Sequence, residues 1–249
     1  MLKDFNNSIN APANFSIPKG KAIDTIFDFL DKILPGFLND FRSGLTHEDD
    51  ISQECSIYLN REARTSFFMF HFQHKYPNKN RSSDFSIISA EKYSSKDPIL
   101  VIEAKRLPTP GKSRSKEYVE GNLGAIERFK RGYHGINLTK SAIIGYIQKE
   151  DFDYWYKEVC SWINDLINSN NDETIDWNRE DNLQFLNSIK GMNKYISKHS
   201  RKGLTDIELF HYWLYQKVET LTISTLSCIR SCANFVQIKK AVTFLSVTA

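Results

Sequence analysis

The chain has 249 residues, enough to bury a full core, and its 41% hydrophobic and 25% charged content is that of an ordinary soluble domain. Its 33 Lys and Arg against 30 Asp and Glu leave a net charge of +3, too small by itself to demand a polyanionic partner. No run approaches the roughly 18 consecutive apolar residues of a membrane span, and no basic start leads into an apolar leader, so a cytoplasmic protein with no membrane partner is expected.

Residues 1–18 are polar and read as a loosely held arm. From Lys21 to Leu34, Ile23, Ile26, Phe27, Leu30, Ile33 and Leu34 recur at three- and four-residue steps, which predicts a helix. Pro35-Gly36 should interrupt it, with Phe37, Leu38 and Phe41 continuing the apolar face to Gly44. Thr46 is placed to cap a second helix running to about Ala63, whose apolar positions are Ile51, Cys55, Tyr58 and Leu59. At 100° per residue, Glu48 and Glu62 fall on that apolar arc and Glu54 outside it. A carboxylate on a buried helix face is unusual. The alternative for Glu48 is a favourable place in the first turn of the helix dipole.

Ser66 to Tyr76 alternates Phe with His and Gln and predicts a strand, and Pro77 to Arg81 is turn chemistry. Ser83 to Ala90 is then the hairpin partner, with Asp84, Ser86 and Ile88 on one face. After a polar turn at Lys92 to Asp97 comes Pro98-Ile-Leu-Val-Ile-Glu-Ala-Lys105, a short buried strand between Pro98 and Pro108. Such a strand should end in apolar or turn residues. This one ends in Glu103 and Lys105, which alternation puts on the same side as Ile99 and Val101. A strand-end surface salt bridge is the bland explanation, and the apolar run around the pair weighs against it.

Leu107 to Ser115 reads as loop, and Lys116 to Gly132 as a helix with Tyr118, Leu123, Ile126 and Phe129 on its apolar side. Gly121 and Gly124 weaken that helix and would permit close backbone approach to the sheet or a ligand. Ser141 to Ile147 predicts a buried strand and Asp153 to Ile167 a further helix. Beyond it, Asn168 to Asp181 reads as loop, Leu183 to Tyr195 as helix, and Ile207 to Tyr215 as an edge or final strand. The tail from Val218 has no clear period. His47 and His134 carry no motif and are expected at the surface. The cysteines, Cys55, Cys160, Cys228 and Cys232, lack the neighbours of a zinc site and are expected as buried thiols.

In order, the middle of the chain reads helix, strand, strand, strand, helix, strand. With Asp84 on the second strand, Glu103-Ala104-Lys105 at the end of the third and Glu48 on the first helix, it resembles the PD-(D/E)xK nuclease superfamily over residues 46 to 148. Ser83 stands where the family's Pro is common. The resemblance implies an α/β protein with a restriction-endonuclease-like αβββαβ core, a mixed central sheet flanked by helices, and N- and C-terminal extensions. The implied division is 1–45 as arm and helix, 46–167 as nuclease-like core, and 168–249 as an extension packed on it.

It further implies a metal-dependent DNA endonuclease that hydrolyses phosphodiester bonds, in phage defence or DNA processing, with Mg²⁺ as cofactor and Mn²⁺ able to substitute. Asp84 and Glu103 would hold the metal, and Glu48 would complete its shell directly or through water. Lys105 would orient or deprotonate the attacking water and offset developing charge. From Lys105 to Arg131 there are eight Lys or Arg against three Glu. Of these, Arg106, Lys112, Arg114, Lys116, Arg128, Lys130 and Arg131 are candidates to face DNA phosphates, the alternative being a solvated charged face. A partner protein or a second copy is a further expected partner. The competing functional readings are a non-catalytic nucleic-acid-binding or scaffold subunit of the same fold, and an unrelated α/β interaction protein.

Overall fold

The computed structural model describes residues 19–41, 44–75, 82–91, 97–169 and 172–216. These fall almost wholly in one unit, residues 1–41 and 46–216, while a second, 42–45 with 217–249, lies almost wholly outside them. The readings for residues 1–18, the turns at 77–81 and 92–96, the tail from Val218, Cys228 and Cys232 therefore lie outside the described residues. No helix among the described residues is long and apolar enough to cross a membrane.

The chain is α/β, built on a seven-stranded mixed sheet flanked by helices. Its strands are β1 (Phe68–Lys75), β2 (Ser82–Ser89), β3 (Leu100–Leu107), β4 (Lys140–Ile147), β5 (Gln184–Ile189), β6 (Met192–His199) and β7 (Ile207–Tyr215). They are ordered β1-β2-β3-β4-β7-β6-β5. β1, β2 and β3 form an antiparallel meander, β4 runs parallel to β3 and β7 parallel to β4, and β6 and β5 return antiparallel. The helices are α1 (Lys19–Asp40), α2 (Glu48–Glu62), α3 (Ala125–Lys130) and α4 (Phe152–Ser169).

Several elements differ from the sequence expectations, each for a local reason. α1 runs straight through Pro35. The Tyr58 hydroxyl donates to the Ile33 carbonyl in the turn before the proline, and Gly36 leaves room for that ring, since a Cβ there would stand 2.4 Å from the hydroxyl oxygen. α2 begins after His47, with no side-chain cap, and the Thr46 carbonyl instead accepts from Arg106 and Gln148. Residues 183–195 are not helical. They are β5 and the start of β6, joined by Lys190 (φ 44°) and Gly191 (φ 81°), a two-residue turn with both residues in the left-handed region, as tight hairpins require. β7 is not an edge but lies between β4 and β6, so residues 184–215 supply three strands of the same sheet.

Alternation distributes the side chains between two faces. Phe27 and Asp31 of α1 meet Phe210, Tyr212 and Lys194 on one face, and Ser52 of α2 meets Tyr146 there. On the other, Val101, Leu107, Ile143, Ile147, Leu209 and Trp213 pack with Ile126 and Phe129 of α3 and Trp155, Val159 and Ile163 of α4. Gly145 matters here: a Cβ would stand 2.5 Å from Trp213 Cδ1, so only glycine lets that ring cross β4.

A buried polar chain runs under this second face. Trp213 Nε1 donates to Tyr118 Oη (2.8 Å), Tyr118 meets His211 Nδ1 (2.8 Å), and His211 Nε2 meets Ser197 Oγ (2.7 Å). Ser197 meets His199 Nε2 (2.6 Å), and His199 Nδ1 meets Asp181 Oδ1 (2.5 Å), which also accepts from Lys130 (2.7 Å). One direction satisfies every group with both histidines neutral: indole to phenol to His211 to Ser197 to His199 to carboxylate. Burial holds both histidines below the usual value, against Asp181 for His199 and assisted by His199 for His211.

Acid therefore favours the unfolded chain, which takes up the protons that the folded chain refuses. The contribution of the two histidines is full above about pH 6.5 and falls below it, by up to about 1.4 kcal/mol per pH unit for each. Urea titrations of His211→Gln and wild type between pH 7.5 and 5 are expected to show an acid slope shallower by about one proton in the variant. Parallel slopes would remove His211 from the account. The comparison between proteins cancels the opposite drift from the site carboxylates.

Candidate active site

β3 is buried along almost its whole length, and its second face carries Val101, Glu103, Lys105 and Leu107 in turn. Glu103 is 0% and Lys105 4% exposed, so a carboxylate and an ammonium stand where flanking positions carry core residues. The pairing of β2 with β3 runs from Ile87–Leu100 to Phe85–Ile102, a register that would set Asp84 opposite Glu103 on the same face. Beyond that point the Asp84 side chain takes over: its Oδ2 accepts from the Ala104 amide at 2.7 Å.

Glu48, the first residue of α2, reaches the end of β3 where β2 has stopped pairing. Its Oε1 accepts from Lys105 Nζ at 3.2 Å and its Oε2 from the Arg106 amide at 2.9 Å. Lys105 Nζ also lies 3.8 Å from Glu117, which is buried and held by Arg114. Glu103 Oε2 accepts from Arg128 Nη1 at 3.1 Å. Its Oε1 has no hydrogen bond among the described residues, although His134 Nε2 faces it at 3.3 Å. The structure thus gathers Asp84, Glu103, Lys105 and Glu48 at one place. Glu62, the other carboxylate on the expected arc, is exposed beside Arg61.

Electrostatically the group is short of positive charge. Burial raises Glu48, Asp84 and Glu103 above the usual carboxylate range, and Lys105 and Arg128 only partly oppose it. Asp84 is pushed up to about 7, by burial and then by Glu103, although it keeps some accessible surface. Lys105 goes the other way. Burial disfavours its charge, but Glu48, Asp84, Glu103 and Glu117 together outweigh that and hold it above the usual lysine value. Like charges held together in a dry place are a reservoir of unfavourable energy that a bound cation would relieve.

The basic residues expected along a phosphate-facing side divide into several groups. Arg114 and Lys116 are exposed at their tips and paired with Glu117 and with Asp165 and Glu120. Arg106 is half-buried and spans to the Thr46 carbonyl, and Arg131 is held by Glu127, Asp172 and Thr174. Lys112 opens a single 3₁₀ turn, Lys112–Arg114. Two differ from expectation. Lys130 is buried against Asp181 because it lies on the inner side of the six-residue α3 with Ala125, Ile126 and Phe129, and Arg128, off that side, reaches Glu103 and the Asn122 carbonyl. Neither position is an open phosphate contact.

Sequence reasoning missed three members of the site. Glu117 stood in a basic stretch and was not singled out, yet it is buried beside Lys105. His134, expected at the surface, is fully buried at Glu103. Arg128 was grouped with the phosphate contacts. The usable signal was the pair of glycines: Gly121 (φ 96°) and Gly124, where a Cβ would meet the Glu120 backbone at 2.4 Å, end any helix before Ala125. That break folds the segment back on the start of α3, where the Ala125, Ile126 and Glu127 amides donate to the Glu117, Tyr118 and Val119 carbonyls.

Among the described residues, no three His, Cys, Asp or Glu form a ready-made metal-binding group. Mg²⁺ is commonly held by one or two carboxylates with several waters, so a carboxylate pair is the relevant unit to examine. No family model, curated protein or solved structure matches the chain.

Proposed function

We propose that this chain is a Mg²⁺-dependent DNA endonuclease of the PD-(D/E)xK type, with a restriction-endonuclease-like core over α2, β1, β2, β3, α3 and β4. The observation that carries the reading is convergence. Asp84, Glu103, Lys105 and Glu48, spread over three elements, meet at one end of β3, where a buried Glu103 oxygen is left without a hydrogen bond. Such an orphaned oxygen beside a second carboxylate fits a hard cation. When bound, Mg²⁺ supplies charge neutralisation at the phosphate and a more acidic water.

Asp84 and Glu103 are the residues that would hold it. Both Glu48 oxygens are already engaged, so Glu48 places Lys105 rather than serving as a direct ligand. Lys105, kept cationic by its carboxylate neighbours, orients the attacking water and offsets charge growing on the phosphate. Arg114 and Lys116 lie near enough in the chain to meet phosphates beside the site, with salt-sensitive affinity. A scaffold subunit of the same fold is the second reading, favoured by the Arg128–Glu103 and Lys105–Glu48 ion pairs that already occupy the carboxylates.

Incubation with duplex, branched and single-stranded DNA separates the two. Cleavage is expected with Mg²⁺ or Mn²⁺, not with Ca²⁺ or EDTA. Mg²⁺ should raise the melting temperature of wild type and not of Asp84→Ala. DNA binding without cleavage on every substrate would favour the scaffold; an equal thermal response in both proteins would remove Asp84 from the site.

A further inference from the structure

Beside the carboxylates lies a cavity of about 460 Å³ that the reading above does not use. It is lined by the folded-back segment, with Arg114, Lys116, Glu117, Glu120, Asn122 and Leu123 among its walls. Two of those walls are tied to the site. Glu117 faces Lys105 Nζ at 3.8 Å, and the Asn122 carbonyl accepts from Arg128 Nε at 3.4 Å, while Arg128 Nη1 holds Glu103. Glu103 and Lys105 are not themselves walls of the cavity, and Glu117 is the wall shared with the surroundings of Lys105.

We propose that this cavity receives one unpaired nucleotide next to the phosphate at Lys105, so that the preferred substrate is single-stranded DNA or a duplex with a single-stranded end or flap. What happens to that nucleotide rests on the nuclease reading; its binding does not. Size is the first reason. The volume lies in the lower part of the roughly 300–1,000 Å³ range of small-molecule sites, which accommodates one nucleoside and not a base pair carrying two backbones. Chemistry is the second. Arg114 and Lys116, 46% and 38% exposed at their side chains, stand at the rim where a backbone phosphate would pass. Leu123, 44% exposed, offers an apolar surface for the face of a base. The exposed Asn122 amide presents a donor and an acceptor, and the Glu120 carboxylate presents acceptors, which together suit the hydrogen-bonding edge of an unpaired base. The backbone is the third. Gly121, whose φ of 96° favours glycine, and Gly124, where a Cβ would meet the Glu120 backbone at 2.4 Å, make the reversal beside the cavity.

The test fills the cavity with aliphatic side chains, which block it without adding a ring for a base to stack on. Ser115→Leu/Asn122→Leu and wild type are titrated in EDTA with a fluorescent single-stranded 12-mer and with the matching duplex, after circular dichroism shows both proteins folded. Wild type should prefer the single strand, and the ratio of single-strand to duplex affinity should fall about tenfold in the variant. With Mg²⁺, cleavage of a flap substrate should fall at least tenfold. If wild type shows no preference and the variant does not change the ratio, the pocket is overturned. The two readings fail differently. Binding that follows the pocket with no cleavage anywhere removes the nuclease and keeps the pocket; flap cleavage that ignores the variant removes the pocket and keeps the nuclease.

Discussion

Asp84→Asn is expected to abolish cleavage, by a factor of about 10³ or more, while making the folded protein more stable at pH 8. The first effect follows from losing one of two carboxylates that would hold the metal; a thousandfold is about 4 kcal/mol of transition-state stabilisation, the scale such ions supply. The second follows from the sign of the shift. Burial, and then Glu103, push the Asp84 carboxyl up to about 7 in the folded chain from an ordinary 3.8, so the folded state holds this proton more tightly. Ionised Asp84 therefore costs stability increasingly as pH rises from about 4 to 7, and the full cost stands above that. Asparagine removes the charge and keeps an oxygen for the Ala104 amide. Because Asp84 retains some solvent contact, the gain at pH 8 in EDTA should be on the order of 2 kcal/mol rather than the whole shift, and it should vanish near pH 4. Urea unfolding at the two pH values reads it. Retained cleavage within tenfold would take Asp84 out of the site. Equal stability at pH 8 would mean that its carboxylate is not under electrostatic load.

Lys105→Met should reduce cleavage at saturating DNA by a factor on the order of 10² or more, with DNA affinity falling by only about 1 kcal/mol. Its structural cost complicates the experiment. Lys105 Nζ stands between Glu48 at 3.2 Å and Glu117 at 3.8 Å, so removing it leaves two carboxylates without their shared cation. That should destabilise the fold by about 3 kcal/mol. Lys105→Met/Glu48→Gln lifts much of the repulsion, and its unfolding free energy should recover while cleavage does not. If activity returned together with stability, Lys105 would be a structural ion-pair partner and not a participant at the phosphate.

Much of the central sheet and of the candidate site was legible because it depends on short-range alternation. A run of Ile99, Leu100, Val101 and Ile102 must be buried, and a period of two then puts Glu103 and Lys105 on one face whatever the rest of the chain does. The β1–β2 hairpin, Asp84 on the second strand, β4 and α4 follow from the same local logic, and their ends appear within two residues of where the pattern sets them. Glu48 was marked by helix phase, and it meets Lys105.

Periodicity failed where apolar spacing was compatible with two structures. Leu183, Leu186, Ile189 and Met192 recur at three-residue steps and mimic a helix, but Lys190-Gly191 turns the chain and strand pairing with β7 decides the outcome. Pro35 failed as a breaker because α2 packs against α1 and bonds the turn before it. Gly121 and Gly124 mark the break before Ala125, but nothing local names the partners that Arg128, Lys130, His134 and Glu117 find. A lone charged residue reads the same whether its partner is water or a side chain fifty positions away. By itself, then, the sequence determined which residues share a face of each short strand, because alternation is a property of the backbone. Only the tertiary structure decided which charges are buried and with whom they pair, because desolvation and ion pairing depend on neighbours that chain order does not record.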